Sequence, residues 1–133
     1  MKYTPEHLKE LRLIIKFMGG EFFEIKSETD TEKNVYGYNY WKFNFTPEND
    51  RTWMTPSSLY YQKRWDWIMP VVLQICSNKQ YRYSIQHIKY PNLWVARINN
   101  DAKDFIDEDG SKNPIESTYK AVVLFLKWIE NIV

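Results

Sequence analysis

The spacing of apolar residues changes several times along the chain, and each change marks an element. Leu8, Leu11, Ile15 and Met18 recur every three or four residues, with Glu10, Arg12 and Lys16 between them. That period predicts a helix with one face on a core. Thr4 is its candidate N-cap, Pro5 stands where a missing N–H is harmless, and Glu6 meets the positive end of the helix dipole. Gly19 and Gly20 supply the left-handed stop. Residues 21–25 predict a short strand. Over residues 35–45 the rings alternate and then change phase: Tyr36, Tyr38 and Tyr40 share one side, and Trp41, Phe43 and Phe45 the other. A strand covered on both faces, or a bulge near Tyr40, produces such a shift. Residues 27–34 are polar, and residues 46–58 hold Pro47 and Pro56 without any period, so both read as loops. Trp53 and Met54 then lie in a loop, either turned back onto the core or offered to a partner.

The chain is organised around the apolar run that follows Tyr60. Pro70 lacks the N–H that would bond to residue 66, so the helix is expected to start at Asp66 or Trp67, with the Asp66 carboxylate as its N-cap. Trp65, Ile68, Val72 and Ile75 would form the buried stripe, widened by Val71, and Ser77, Asn78 and Lys79 would close the element. Residues 80–89 alternate: Tyr81, Tyr83, Ile85 and His87 face one way, Arg82, Ser84 and Gln86 the other. Tyr90-Pro91-Asn92 has turn chemistry, and residues 93–98 read as the returning strand of a hairpin. Residues 99–113 read as an acidic loop. Asn113 then caps the last helix, Pro114 opens it and Glu116 completes an Asn-x-x-Glu capping box. Ile115, Tyr119, Val122, Leu126 and Ile129 make its apolar face. The expected fold is a single α+β domain: a mostly antiparallel sheet of three to four strands flanked by three helices. Long loops are expected near residues 26–34, 46–62 and 99–113.

Composition adjusts this picture in one respect. A chain of 133 residues with 44% hydrophobic and 26% charged residues is an ordinary globular domain, but 17% aromatic is a heavy load. Tyr and Trp serve binding surfaces as well as cores. A net charge of +1 argues against a protein that coats duplex DNA. The single cysteine, Cys76, excludes an internal disulfide and fits a reducing cytoplasm. Its place on a half-buried helix makes it a packing thiol. No signal-peptide core and no run of transmembrane length is present, so a soluble cytoplasmic protein without membrane association is expected.

Candidate chemistry is sparse. His7 and His87 lack a second ligand at metal spacing, Ser57 and Ser58 lack a nucleophile elbow, and four glycines form no phosphate loop. Asp107, Asp109, Gly110 and Glu116 match part of a calcium loop, but Phe105 occupies the first ligand position and Asn113-Pro114 starts a helix inside it. No metal, cofactor or catalytic residue is assigned, and the pattern points away from an enzyme. Were there catalysis, Asp66 and His87 are the acid–base candidates. Asp66 between Trp65 and Trp67 is either a helix cap or an acid in an aromatic pocket that accepts hydrogen bonds from a ligand.

Cations interleaved with rings are the most suggestive feature. Arg51 precedes Trp53, Lys63 and Arg64 precede Trp65, Arg82 lies between Tyr81 and Tyr83, and Arg97 follows Trp94. A nucleotide would find phosphate partners in Arg51, Lys63, Arg64 and Arg82 and stacking partners in Trp53, Tyr61 and Trp65. Alternation on a half-buried strand gives the same appearance, rings inward and arginines outward.

Phe17-Met18-Gly19 at the end of the first helix, the box Trp65-Asp66-Trp67-Ile68-Met69-Pro70-Val71-Val72 and the terminal run from Ile115 to Val123 occur in this order. In these segments the chain resembles a group of small uncharacterised proteins of bacteriophages and gut-type bacterial genomes, akin to phage ABA-sandwich domains. In that group an acid usually follows the two valines, where this chain has Leu73 and Gln74. The resemblance implies an α+β layer fold and a phage or mobile-element setting, and carries no activity. The expected function is a non-enzymatic binding protein, an anti-defence protein that sequesters a small nucleotide or blocks a host or defence protein. The alternatives are an interaction module, homo-oligomers included, with Trp53, Met54, Tyr60 and Tyr61 as its patch, and a small enzyme using Asp66 and His87.

Overall fold

The computed structural model describes residues 5–19, 21–24, 39–42, 53–54, 61–77 and 80–132. The chain divides into two compact units, Met1–Leu59 and Tyr60–Val133. In the first, helix α1 (Pro5–Phe17) buries Leu11, Ile14 and Ile15. Leu11 and Ile15 belong to the expected face, and Ile14 widens it on the other side of Leu11; Thr4 falls outside the described residues. The helix ends as its glycine requires: Gly19 has φ 83°, and its N–H bonds to the Lys16 carbonyl at 3.2 Å. Strands β1 (Glu21–Glu24), β2 (Asn39–Lys42) and β3 (Trp53–Met54) form an antiparallel sheet in that order, with α1 against β1. Phe22 stands opposite Trp41, and Trp41 opposite Met54. β3 corrects the loop expected over residues 46–62, since two residues are too few to show a period. Tyr36, Tyr38, Phe43 and Phe45, which carry the expected phase change, lie outside the described residues.

The second unit holds α2 (Trp65–Cys76), β4 (Arg82–Ile88), β5 (Leu93–Asn99), β6 (Asp104–Ile106) and α3 (Pro114–Ile132). Its sheet runs β4-β5-β6, antiparallel throughout. Among the described residues, three helices with antiparallel sheets make the α+β arrangement that the periodicity predicts. α3 lies on β5 and β6, and α2 lies on α3 and β4. The sheet contributes Ala96, Ile98 and Phe105 to the buried interior, and α2 contributes Trp67, Ile68, Val71, Val72 and Ile75. Because α3 packs against both the sheet and α2, its buried surface is wider than one stripe. Ser117, Thr118, Ala121, Val123 and Phe125 join Tyr119, Val122 and Leu126, while Ile115 and Ile129 are half-buried. Asn113 caps the helix as read: its Oδ1 accepts the Glu116 N–H at 2.7 Å, and its side-chain amide donates to the Glu116 carboxylate at 3.4 Å.

The start of α2 departs from expectation. The helix begins at Trp65, Arg64 is its N-cap residue with no side-chain cap, and Asp66 is in the first turn. The Arg64 carbonyl accepts N–H groups from both Trp67 and Ile68 at 3.2 Å. Pro70 therefore sits one turn deeper than a proline prefers, which removes only the bond to the residue 66 carbonyl near the helix end.

The acidic loop is the second correction. Residues 99–113 contain β6, and Phe105 is buried with its ring centroid 5.4 Å from those of Phe125 and Trp128. Asn100 Oδ1 accepts the N–H groups of Ala102 at 2.9 Å and Lys103 at 2.6 Å, which tightens the turn between β5 and β6. Beyond β6, Ser111 and Trp94 exchange backbone bonds of 2.8 and 2.9 Å. Gly110 makes that bridge reachable, with φ 74° and a Cβ position only 3.0 Å from Leu93 Cβ. Gly110→Ala should cost about 1–2 kcal/mol, since both left-handed strain and the Leu93 contact oppose it. Urea unfolding checks this: a lower midpoint at unchanged slope is expected, and an unshifted midpoint would show that the loop relaxes freely.

Candidate functional site

α2 carries apolar residues nearly all round, and only one side of it can be inward. Trp67, Ile68, Val71, Val72 and Ile75 occupy the buried side. Trp65, assigned to the buried stripe from sequence, faces outward at 38% exposed, and Leu73 is 65% exposed. Met69, half-buried, lies between them. Trp65, Met69 and Leu73 are spaced four residues apart, so they form one row along the outer face. Exposed Asp66, Gln74 and Ser77 border it. At its head Lys63 is exposed, with no ion-pair partner among the described residues.

Asp66 is neither a cap nor an acid in an aromatic pocket. Arg64 grips it with both ends of the guanidinium, Nε to Oδ1 at 3.0 Å and Nη2 to Oδ2 at 2.6 Å. The pair is half-exposed, so its contribution to stability is small. Its effect is to fix Arg64 and Asp66 beside the row. Tyr61, expected to stack on a base, is 3% exposed and meets Trp67 edge-on at 5.1 Å between centroids. Burial pushes its phenol well above the usual range. It is a core ring, which removes it from both the stacking set and the exposed patch.

The other expected site residues are dispersed. Trp53 stands in β3 opposite Lys42, and Arg51 lies outside the described residues. Arg82 opens β4 and reaches Asp101 at 3.4 Å, across an open recess lined by Gln80, Asn100 and Ala102. Its strand neighbours turn the other way: Tyr81 packs on Phe125 at 4.9 Å, and the Tyr83 hydroxyl bonds to Thr118 at 2.7 Å. Arg97 pairs with Asp104 at 3.0 Å on the exposed side, while Trp94 stacks on His87 at 4.4 Å. Alternation has thus put the cations of this sheet on one face and the rings on the other, which separates the phosphate and stacking partners a nucleotide needs.

The acid–base candidates also stand apart. Both Asp66 oxygens are taken by Arg64 at the head of α2, whereas His87 Nε2 shares a 2.6 Å hydrogen bond with Asn92 Oδ1 near the hairpin tip. Burial raises the Cys76 thiol, the opposite of what a nucleophile needs. Asp107, in the stretch that reads as an acidic loop, is 5% exposed. Its Oδ2 accepts from Ser111 Oγ at 2.7 Å and Ser117 Oγ at 2.9 Å, and Ser117 Oγ in turn accepts the Ala96 N–H at 2.7 Å. This is a buried polar link between sheet and helix.

The residues that sequence reasoning missed are Met69 and Leu73. Their signal was available: apolar residues on every side of a 12-residue helix leave some of them outside. Among the described residues no helix is long and apolar enough to cross a membrane. No family model, no curated protein and no solved structure matches the chain.

Proposed function

We propose that the chain is a non-enzymatic binding protein whose target is another protein, held on the outer row of α2. The observation that carries this reading is the line Trp65, Met69 and Leu73, turned outward and bordered by polar side chains. An i, i+4 row is the ridge by which one helix enters the groove of another, so the occupant is the apolar face of an amphipathic helix. An apolar centre with a polar rim, anchored by a tryptophan, is the anatomy of an interface hot spot. Lys63 at the head of the row asks for an acid on the partner helix. The phage or mobile-element setting, and with it a host or defence protein as target, rests on the resemblance of the Trp-Asp-Trp box and the two outer helices alone.

A photo-crosslinking side chain placed at Leu73 tests this, with the same group at exposed Glu108 as control. In bacterial cells carrying phage-defence systems, irradiation should give a discrete adduct with a second protein from position 73, absent from position 108 and lost with Trp65→Ala. Identical adducts from both positions would sink the reading. So would a nucleotide retained by the unmodified protein in native mass spectrometry of material from the same cells, which would restore the sequestering alternative.

A further inference from the structure

We propose that β4 is the contact strand of a symmetric dimer, in which two copies pair β4 to β4 and each inserts Tyr90 into the other's recess. This goes beyond the α2 row and does not depend on it. Among the described residues β4 is an edge strand, seven residues long and without proline, bonded on one side only, to β5. Ladder parity shows which groups its free edge offers. Trp94 exchanges bonds with Ser111, the Ala96 carbonyl accepts the Asp107 N–H, and the Asn100 N–H bonds to Lys103. Even-numbered residues of β5 therefore turn their backbone groups away from β4, and Leu93, Val95, Arg97 and Asn99 turn theirs towards it. The partners of those four are Ile88, Gln86, Ser84 and Arg82. By alternation Tyr83, Ile85 and His87 point N–H and C=O out of the sheet edge. Those groups have no partner among the described residues.

Such an edge is a template for another strand unless it is short, bulged, covered or charged along its length. β4 has one cation at its start, Arg82, and Lys89 just past its end. The opposite edge is only three residues long in β6. A two-fold axis at Ile85 uses all the outward groups, Ile85 with its copy and Tyr83 with His87 in both directions, for about six ladder bonds. On the open face it sets Ser84 against Gln86 and Arg82 against Ile88, so no like charges meet. Tyr81 then falls opposite Lys89, and Gln80 opposite Tyr90.

That last pairing selects a second copy over an unrelated strand. Tyr90 at the hairpin tip is 82% exposed. Beside Gln80, each copy has a recess of about 450 Å³ lined by Arg82, Asn100, Asp101 and Ala102. The register that satisfies the backbone carries the exposed ring of one copy to the recess of the other. There the ring can lie over the Arg82 guanidinium and its hydroxyl can donate to Asp101.

Sedimentation equilibrium and cysteine pairing test the arrangement. The native chain should sediment as a dimer, and Tyr90→Ala, at an exposed position, should weaken the dimer by about tenfold or more. Ser84→Cys combined with Gln86→Cys should oxidise rapidly to a covalent dimer, because the register brings each cysteine opposite its counterpart. Either single variant should do so far more slowly. A native chain that stays monomeric at its highest soluble concentration overturns the proposal. So does a dimer that neither responds to Tyr90→Ala nor favours the double cysteine variant. Neither result touches the crosslink expected at Leu73.

Discussion

Trp67→Ala should destabilise the second unit by about 3–5 kcal/mol, while Trp65→Ala, two residues away, should change stability by no more than about 1 kcal/mol. Trp67 is 1% exposed and sits on the inner side of α2 with Val71 and Ile75. Removing its indole leaves a cavity beneath the helix and strips Tyr61 of the ring it meets edge-on at 5.1 Å. Tyr61 is itself 3% exposed, so the gap is walled by residues that are already packed and can only partly collapse. Trp65 has solvent on its outer side and loses little. Urea unfolding followed by far-ultraviolet circular dichroism separates the two. Equal losses would mean that the helix is rotated from the phase described, and the outer row with it. The same pair dissects function, because the crosslink expected at Leu73 depends on Trp65 and only Trp67 is required for the fold.

The contrast between these tryptophans shows what the sequence could and could not say. Where a local rule has a single solution, sequence and structure agree. Gly19 ends α1 because only a residue content with φ above zero suits that stop, and Asn113, Pro114 and Glu116 open α3 because each fills a place the others define. The hairpin from Arg82 to Asn99 follows from the alternation along its first strand and the turn chemistry of Tyr90-Pro91-Asn92. The sequence failed where two solutions fit. In α2 apolar residues surround the axis, so placing Trp65 inside was as consistent as placing Trp67 there, and only packing on α3 and β4 decides. Pro70 argued for a later helix start because its lost bond was judged without knowing that the helix tolerates it near its end. β6 was invisible because three residues with one inward ring, Phe105, carry no period. Of the candidate site, the chemistry at Lys63, Arg64, Trp65 and Asp66 was seen as a local cluster. Its direction was not, since orientation is a tertiary property. The apparent nucleotide pattern of Arg82 and Arg97 among rings dissolves for a physical reason: neighbours on a strand face opposite ways.

Asp107→Ala should cost about 2–4 kcal/mol, a large loss for a residue that the sequence places in an acidic loop. The carboxylate accepts two hydroxyl hydrogen bonds in a place water scarcely reaches, from Ser111 at 2.7 Å and Ser117 at 2.9 Å. Truncation leaves both hydroxyls without their acceptor. The damage does not stop there, because Ser117 Oγ also receives the Ala96 N–H of the central strand, and its orientation is set by the bond it gives to Asp107. One side chain thereby ties the segment after β6 to the first turns of α3 and, through Ser117, to β5. Asp107→Asn keeps the shape and one carbonyl acceptor, so its cost should be smaller, about 1–2 kcal/mol. Ser117→Ala removes the middle of the chain and leaves a buried amide hydrogen unpaired, which should cost about 1–3 kcal/mol. Combining Asp107→Ala with Ser117→Ala in a double-mutant cycle decides whether these groups act as one network. The double variant should lose clearly less than the two single losses summed, since each single change already breaks the bond they share. Strict additivity would mean that the carboxylate and the serine hydroxyl stabilise the fold separately, with β5 held to α3 by apolar packing alone.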